Sequence, residues 1–164
     1  MSAPVNKANL LLISTVSSTL WVFYRELIEA LKQAGYAVTI AAAKDYQLER
    51  FAADYGCRIN PLQISRRISP LQDLLCLIKL VRLMRKERFD IVHAHTPKAG
   101  FLGMLASGLA GVGNRVYTLH GLPLETAVGL KRQILKCVEQ LSLKLANTRL
   151  VVSHSLAARA LELG

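Results

Sequence analysis

Residues 90–100 read DIVHAHTPKAG, and this stretch decides the fold. Its first five positions are mostly apolar and suit a short buried strand. Thr96 and Pro97 then fit the N-cap and the first position of a helix, and the small residues after them continue that helix. A strand that leads directly into a helix is the repeating unit of parallel α/β sheets. The stretch therefore predicts a parallel sheet with helices packed against it.

The same alternation runs along the whole chain of 164 residues. It predicts strands at residues 9–14, 37–42, 58–62, 90–94, 115–119 and 149–153, and helices at 20–34, 46–55, 70–88, 97–110, 129–146 and 155–163. The strands lack in/out alternation, which indicates a sheet covered on both faces. Gly35, Gly56 and Gly111 each follow a predicted helix, where a C′ glycine belongs. We expect one doubly wound, mostly parallel, Rossmann-like α/β domain over residues 1–164, with strand order 3-2-1-4-5-6.

The composition favours a globular protein that meets an anionic partner. Hydrophobic residues make up 52% of the chain, and 21 Lys and Arg against 11 Asp and Glu give a net charge of +10. Such a charge attracts phosphorylated substrates, nucleic acid or an anionic membrane, and it also fits a generally basic surface. The three cysteines lie far apart with no CxxC pair, which indicates reduced thiols in a cytoplasmic protein and no zinc site.

Two long uncharged stretches could belong to a signal peptide or a membrane span. Residues 8–24 follow Lys7, but a polar run at 14–19 interrupts them and no small-residue cleavage site follows. Residues 99–113 are shorter than the roughly 20 residues that a membrane-spanning helix needs. We therefore expect neither feature.

Ligands of doubly wound sheets bind beyond the carboxyl ends of the strands, where the strand order reverses. The polar residues predicted at this edge are Ser17, Ser18 and Thr19 after the first strand, His95, Thr96 and Lys98 after the fourth, and His120, Gly121 and Glu125 after the fifth. The helix start at Thr96, with Lys98 beside it, suits a phosphate, and it equally fits an ordinary capped helix with a solvated lysine. Ser18 or Thr19 could also serve only to cap the first helix.

Three histidines, at positions 93, 95 and 120, lie at or near the carboxyl ends of the fourth and fifth predicted strands. His93 and His95 share one strand face, but no acidic or Cys partner accompanies them, so a metal site is not expected. We interpret His93 as a hydrogen-bonded core residue and His95 as the ligand contact. His120 precedes Gly121, where a ligand can approach, although a buried histidine would also fit. Glu125 is either a general base or a solvated loop carboxylate.

Two glycine-rich motifs that bind nucleotide phosphates do not occur in the sequence. GxGxxG and GxxxxGK[ST] are both missing, so no dinucleotide cofactor is expected.

The segment at 66–88 combines leucines with Lys79, Arg82, Arg85, Lys86 and Arg88. It predicts a basic amphipathic helix, which either lies on an anionic membrane or packs on the core with a solvated face. Nucleic-acid binding is not expected, since no interleaved aromatic residues accompany the charges.

Residues 89–100, FDIVHAHTPKAG, and 117–121, YTLHG, together with Glu139 and the tail at 151–164, resemble the amino-terminal half of GT-B glycosyltransferases of family GT4. The likeness is to bacterial capsule, O-antigen and exopolysaccharide sugar transferases. It implies a Rossmann-like acceptor-binding domain whose cleft is lined by residues 14–19, residues 95–98 and His120, with His120 near the reaction centre.

The resemblance also implies what the whole enzyme does. Sugar would pass, with retention and without a metal, from a nucleotide-sugar to a saccharide on a polyprenyl diphosphate at the inner face of the cell membrane. The donor-binding carboxy-terminal domain is absent from residues 1–164, and Gly164 directly follows a short predicted helix. We therefore expect either a piece of a longer enzyme or a chain that works with a separate donor-binding subunit, and in both cases we expect it to be inactive alone. The alternative is a non-catalytic Rossmann-like module that binds an anionic ligand or partner.

Overall fold

The computed structural model describes residues 8–65 and 69–163. Residues 66–68, at the start of the predicted basic segment, lie outside this part of the chain, as do Lys7 and Gly164. Six parallel strands form one sheet in the order β3-β2-β1-β4-β5-β6. The strands are β1 (Asn9–Ile13), β2 (Ala37–Ala42), β3 (Arg58–Pro61), β4 (Ile91–His95), β5 (Asn114–Leu119) and β6 (Thr148–Val151). The predicted fold class and strand order are confirmed.

In the described part of the chain, seven α-helices connect and follow the strands. They are α1 (Ser17–Phe23), α2 (Arg25–Gln33), α3 (Tyr46–Tyr55), α4 (Pro70–Glu87), α5 (Pro97–Ala110), α6 (Gly129–Leu145) and α7 (His154–Leu163). A 3-10 turn at Pro123–Glu125 precedes α6. Gly56 and Gly111 end α3 and α5 in the left-handed conformation, with φ of 60° and 77°, as the sequence predicts. Within the described ranges, no helix is both long and apolar enough to cross a bilayer.

The sheet has one apolar core on each face. Leu11 and Ile13 point to the core shared with α4, α5 and α6. Leu10 and Leu12 point to the opposite core, which α1, α2 and α3 complete. Because both faces of β1 are buried, its sequence NLLLI shows no polar alternation.

The predicted helix at 20–34 is wrong in one respect, because the chain breaks there into α1 and α2. Tyr24 separates them with φ of −129°, ending α1 and starting α2. No proline or glycine marks this break, and the apolar periodicity of residues 20–34 continues through it. The sequence therefore predicts one helix there. The break turns Tyr24 towards the carboxyl ends of β4 and β5, where its ring meets three histidines.

Candidate functional site

The loops after β1 and β4 are tied together at the point where the strand order reverses. The Thr15 and Thr96 hydroxyl oxygens lie 2.7 Å apart and share a hydrogen bond. Thr96 is at the predicted N-cap of α5, but its hydroxyl does not cap that helix. Its φ of 68° is unusual for a β-branched residue, and strain of this kind persists where the surroundings impose it. The two threonines therefore form a hydrogen-bonded bridge across the edge of the sheet.

A second tie joins the loops after β1 and β2. The buried Ser17 hydroxyl donates to the carboxylate of Asp45, which also accepts the Leu48 backbone N–H at 2.9 Å and so caps α3. Helix α1 begins at Ser17 itself and has no side-chain cap, so the alternative that Ser18 or Thr19 serves only to cap this helix is wrong. Ser18 is exposed and Thr19 is half-buried in the first turn of α1.

Three histidines and one tyrosine meet at the ends of β4 and β5. We call His93, His95, His120 and Tyr24 the histidine cluster. The His95 ring lies 4.1 Å from the ring centroids of both Tyr24 and His93, and the Tyr24 hydroxyl is 3.3 Å from Nε2 of His120. The strand register explains the histidines, because β4 and β5 are adjacent and parallel. Sequence reasoning missed Tyr24, which is 96 residues from His120 and carries no local signal.

Burial keeps the three imidazoles neutral. Desolvation lowers the pKa of His93 to about 4, lowers the pKa of His95 well below its ordinary value, and lowers the pKa of His120. A neutral imidazole has one donor and one acceptor nitrogen. The cluster can therefore hydrogen-bond to hydroxyl groups, and it does not supply positive charge at neutral pH.

His93 and His95 have different surroundings. His93 is buried and its Nε2 lies 2.7 Å from the Thr118 hydroxyl, which confirms it as a hydrogen-bonded core residue. His95 is fully buried beneath Tyr24, and neither ring nitrogen has a hydrogen-bond partner among the described residues. Substrate contact through His95 stays a prediction, and it would require Tyr24 to move.

The charged candidates are both paired with other side chains. Lys98 forms an ion pair with Asp73 of α4 at 2.6 Å, so its charge is already partly neutralised. Glu125 forms an exposed ion pair with Arg159 of α7. The space beside Gly121 is open, because among the described residues no atom other than those of its chain neighbours lies within 4 Å of where a Cβ would be. The predicted substrate contacts of these residues stay predictions.

A cavity of about 550 Å³ opens between α4 and the ends of β1, β2 and β3. We call it the α4 cavity, and its lining includes Thr15, Gln63, Gln72, Leu75 and Lys79. Thr15 also shares a hydrogen bond with Thr96. Thr15 therefore belongs both to the lining of the cavity and to the threonine bridge where the strand order reverses. Amide, hydroxyl and ammonium groups beside an apolar wall suit a ligand with both polar and apolar parts.

Helix α4 shows part of its apolar surface to solvent. Cys76, Leu80 and Met84 face the core, as the core-packing alternative requires. Leu71, Leu74, Leu75 and Ile78 instead lie on the outside, with exposed fractions of 72%, 53%, 52% and 38%. This spacing places the four on one helix face, and exposed basic residues continue it towards Arg82. We call these four residues the leucine face.

In the described part of the chain, no three His, Cys, Asp or Glu side chains are grouped so that they could hold a metal ion. Cys57 and Cys76 are buried and Cys137 is exposed, all as free thiols. Burial raises the pKa of Cys57 and of Cys76 to about 11, so both remain protonated thiols at neutral pH.

Comparison with known proteins identifies the family. A family model, the glycosyl transferase 4-like domain, matches residues 18–164. The chain is 31% identical to the capsular polysaccharide biosynthesis glycosyltransferase CapM of Staphylococcus aureus over 132 residues, covering 80% of this chain and 34% of that protein. It is 39% identical over 95 residues to the UDP-Gal:alpha-D-GlcNAc-diphosphoundecaprenol alpha-1,3-galactosyltransferase of Escherichia coli, covering 56% and 24% respectively. The chain thus spans about a third or less of these relatives.

A solved structure shows the same fold. The glycosyltransferase from Rickettsia africae superposes with a TM-score of 0.73 at 18% identity, over 96% of this chain and 40% of that one. At this identity the likeness concerns the fold alone, whereas the family match rests on sequence. The chain therefore belongs to the glycosyl transferase 4-like family, as the resemblance in its HTPKAG and LHG segments indicates.

Proposed function

We propose that this chain is the acceptor-binding half of a glycosyltransferase that moves a sugar from a nucleotide-sugar to a polyprenyl-diphosphate-linked saccharide in surface polysaccharide synthesis. One observation carries the proposal: the α4 cavity and the neutral His120 lie at the same edge of the sheet, and the Thr15–Thr96 bridge stands between their loops. The names of two relatives, a capsular polysaccharide transferase and a diphosphoundecaprenol galactosyltransferase, support the substrate classes.

The α4 cavity is the proposed acceptor site. Gln63 and Gln72 offer amide groups to sugar hydroxyls, and Lys79 offers an ammonium group to a diphosphate. Leu75 lines the cavity and also belongs to the leucine face, so a prenyl chain could leave the cavity along that face. This arrangement provides for the saccharide, the diphosphate and the lipid in one continuous region.

His120 is the proposed contact to the transferring sugar. Its imidazole is neutral and half-buried, so it can donate or accept a hydrogen bond with a sugar hydroxyl. It is not a source of charge for the leaving diphosphate. Because Lys98 is held by Asp73, the backbone N–H groups at the start of α5 suit that charge better than the Lys98 ammonium group does. The nucleotide itself would be held by a donor-binding domain outside this chain.

Four hydroxyl residues are proposed to line the cleft or to position its loops: Ser17, Ser18, Thr19 and Thr96. Ser17 and Thr96 act through their ties to Asp45 and Thr15, which hold the loop after β1 in place. Ser18 is exposed and can reach a ligand directly. Glu125 can contact substrate only if Arg159 releases it. Retention of configuration and metal independence remain expectations from the family likeness.

Peripheral contact with the inner face of the cell membrane is part of the proposal. The leucine face is exposed along the first half of α4, and Lys79 and Arg82 continue the same exposed side. Apolar side chains that enter the acyl boundary, with cations beside the headgroups, suit an anionic membrane. A lipid-linked acceptor would reach the α4 cavity from that side.

The test uses the natural protein that carries this domain, together with its donor-binding subunit if that is a separate chain. The purified enzyme is incubated with a panel of UDP-sugars and N-acetylglucosaminyl-diphosphoundecaprenol, and the lipid product is separated and identified. We expect transfer of one sugar, and a fall of about 5- to 100-fold in kcat/KM for H120A, because a sugar hydroxyl left without its hydrogen-bond partner in the cleft costs about 1–3 kcal/mol. H154A, which removes an exposed histidine at the start of α7, is the matched control.

The alternative function gives a different result. A non-catalytic module would bind an anionic ligand without transferring sugar from any donor of the panel to any lipid-linked saccharide. An active enzyme in which H120A and H154A both transfer normally would keep the family assignment and remove His120 from the site.

A further inference from the structure

Helix α6 shows a row of apolar side chains to solvent along most of its length. Leu130, Ile134 and Leu141 are exposed by 77%, 43% and 41%, and the exposed thiol of Cys137 lies between the last two. Steps of four, three and four residues keep all four on one face of the helix. We call these four residues the α6 stripe. It is about 16 Å long, at a rise of about 1.5 Å per residue.

The α6 stripe faces away from the sheet. The buried residues of α6 are Glu139, Ser142 and Leu143, and Leu143 joins the core shared with α4 and α5. Because an α-helix turns by about 100° per residue, the centre of the stripe lies about 160° around the helix from the centre of these three residues. Single exposed leucines are ordinary on a protein surface, but an apolar row at helical spacing opposite the core marks an interaction site.

Over Gly129–Leu145, all exposed charged residues are positive. They are Lys131, Arg132, Lys136 and Lys144. Glu139, the acidic residue of this helix, is 2% exposed and accepts the hydrogen bond from Tyr117, so it adds no charge to the outer surface. An apolar row accompanied by cations alone matches an anionic lipid surface, where leucines enter the acyl boundary and lysines reach the headgroups. It does not match a second copy of this chain, because a two-fold contact would set these lysines against one another.

The leucine face of α4 lies on the same side of the sheet as the α6 stripe. Helix α5 packs against both α4 and α6, and the three helices share one core. The leucine face lies opposite Cys76, Leu80 and Met84, the core-facing residues of α4, just as the α6 stripe lies opposite the buried residues of α6. Two exposed apolar rows, each with basic residues beside it, therefore point outwards from one helical layer.

We propose that α6 is a second membrane-binding helix, whose stripe enters an anionic bilayer together with the leucine face of α4. This contact rests on the proposed function, of which peripheral membrane binding is a part, and it fixes which side of the domain meets the lipid. The layer of α4, α5 and α6 lies on the membrane, and α1, α2 and α3 lie on the far side of the sheet. The carboxyl edge of the sheet and the α4 cavity then open sideways, beside the headgroups that carry the lipid-linked saccharide.

Cys137 allows the contact to be measured at the stripe itself. Its thiol is exposed, whereas Cys57 and Cys76 are buried. The natural protein, with its donor-binding subunit if that is a separate chain, is labelled with an environment-sensitive fluorescent maleimide, and C137S identifies the signal of this site. Vesicles of phosphatidylglycerol and phosphatidylcholine should shift the emission to shorter wavelength, and a nitroxide on the acyl chains should quench it. Vesicles of phosphatidylcholine alone should do neither.

The matched control carries the same fluorophore on the opposite side of the sheet. Leu27 of α2 is 41% exposed, and α2 packs on the other core. The label in C137S/L27C should therefore keep its emission in water with both kinds of vesicle.

The L130Q variant tests the stripe without a label. We expect flotation with the anionic vesicles to weaken about tenfold, because a leucine no longer enters the acyl boundary. L27Q is the control and should float like the wild type. If α4 and α6 bind the same bilayer at separate points, L71Q/L130Q should lose roughly the product of the two single effects.

Three results would overturn the proposal: an emission of the Cys137 label that anionic vesicles leave unchanged, flotation of L130Q equal to that of the wild type, or a Cys137 thiol that does not react in the folded natural protein. The last would mean that protein, either a second copy or the donor-binding part, covers the stripe. None of these measurements requires sugar transfer. An inactive protein with normal flotation would refute the proposed reaction alone, and an active enzyme with an unshifted label would refute the α6 contact alone.

Discussion

Gly100 of α5 lies directly against the ring of Tyr117 of β5. A methyl group on Gly100 would come within 2.8 Å of Cζ and 2.9 Å of Cδ2 of that ring, closer than carbon atoms pack. The ring cannot easily move away, because Tyr117 is fully buried and its hydroxyl donates to Glu139 at 2.8 Å. The glycine that ends the HTPKAG segment thus brings α5 close to the sheet, and its role is packing rather than ligand contact.

Replacing Gly100 should therefore destabilise the domain although alanine favours helices. We expect G100A to lower the free energy of unfolding by about 1–3 kcal/mol through overpacking. The matched control is G108A on the same helix, where the nearest atom, Leu145 Cδ2, would be 3.8 Å from the new methyl group. G108A should raise the free energy by about 0.5–1 kcal/mol, since alanine replaces glycine in a helix. Urea unfolding measures both, and changes of the same sign would contradict this account.

Glu139 gives the stability a defined dependence on pH. Burial raises its pKa to about 7, although the hydrogen bond from Tyr117 partly opposes the rise. A raised pKa in the folded chain means that the folded state takes up the proton more readily than the unfolded state. The resulting stabilisation is fully present below the ordinary value of 4.5 and is lost as the pH rises through about 7.

The E139Q variant removes this titration and keeps a polar group of similar size. We expect the free energy of unfolding of the wild type, minus that of E139Q, to fall as the pH rises from 5 to 8. The difference is measured because the buried histidines shift stability in the opposite direction over part of this range. E29Q alters an exposed glutamate of α2 and is the control. The difference in free energy of unfolding between the wild type and E29Q should stay constant over the same pH range. If the difference in free energy of unfolding between the wild type and E139Q also stays constant with pH, Glu139 does not titrate in this range.

The sheet was predictable because strands buried on both faces appear in the sequence as short apolar runs. Once six such runs alternate with helical segments, right-handed crossovers leave few strand orders. The contact between His93 and Thr118 could also have been found, since β4 and β5 are neighbours in that order.

The remaining parts of the site depend on contacts between distant segments. The break at Tyr24 changes the backbone at one residue and leaves the apolar periodicity intact, so the sequence shows no boundary there. The sequence leaves Lys98 open as a phosphate ligand or as a solvated lysine, and its partner Asp73 is on a different helix. Only the packing of α4 against α5 brings these two residues together. Sequence motifs therefore predict which residues lie at the ligand-binding edge of the sheet. Contacts between distant segments decide which of those side chains can still bind a ligand.

The leucine face of α4 predicts binding to anionic membranes. Leu71 is 72% exposed, so it can enter a bilayer without unfolding the helix, and transfer of such a side chain contributes about 1.5–3 kcal/mol. We expect the chain to float with vesicles that contain phosphatidylglycerol and to remain unbound with neutral vesicles. L71Q should weaken binding at least tenfold, which corresponds to about 1.4 kcal/mol.

A matched variant separates membrane contact from a general loss of surface leucine. Leu161 of α7 is 81% exposed and lies on another helix, so L161Q should float like the wild type. R82Q, on the same side of α4 as the leucine face, should weaken binding to anionic vesicles in proportion to their charge and should have no effect in high salt. Equal flotation of L71Q and L161Q would exclude the leucine face as the contact, and equal binding to neutral vesicles would exclude the contribution of the basic residues.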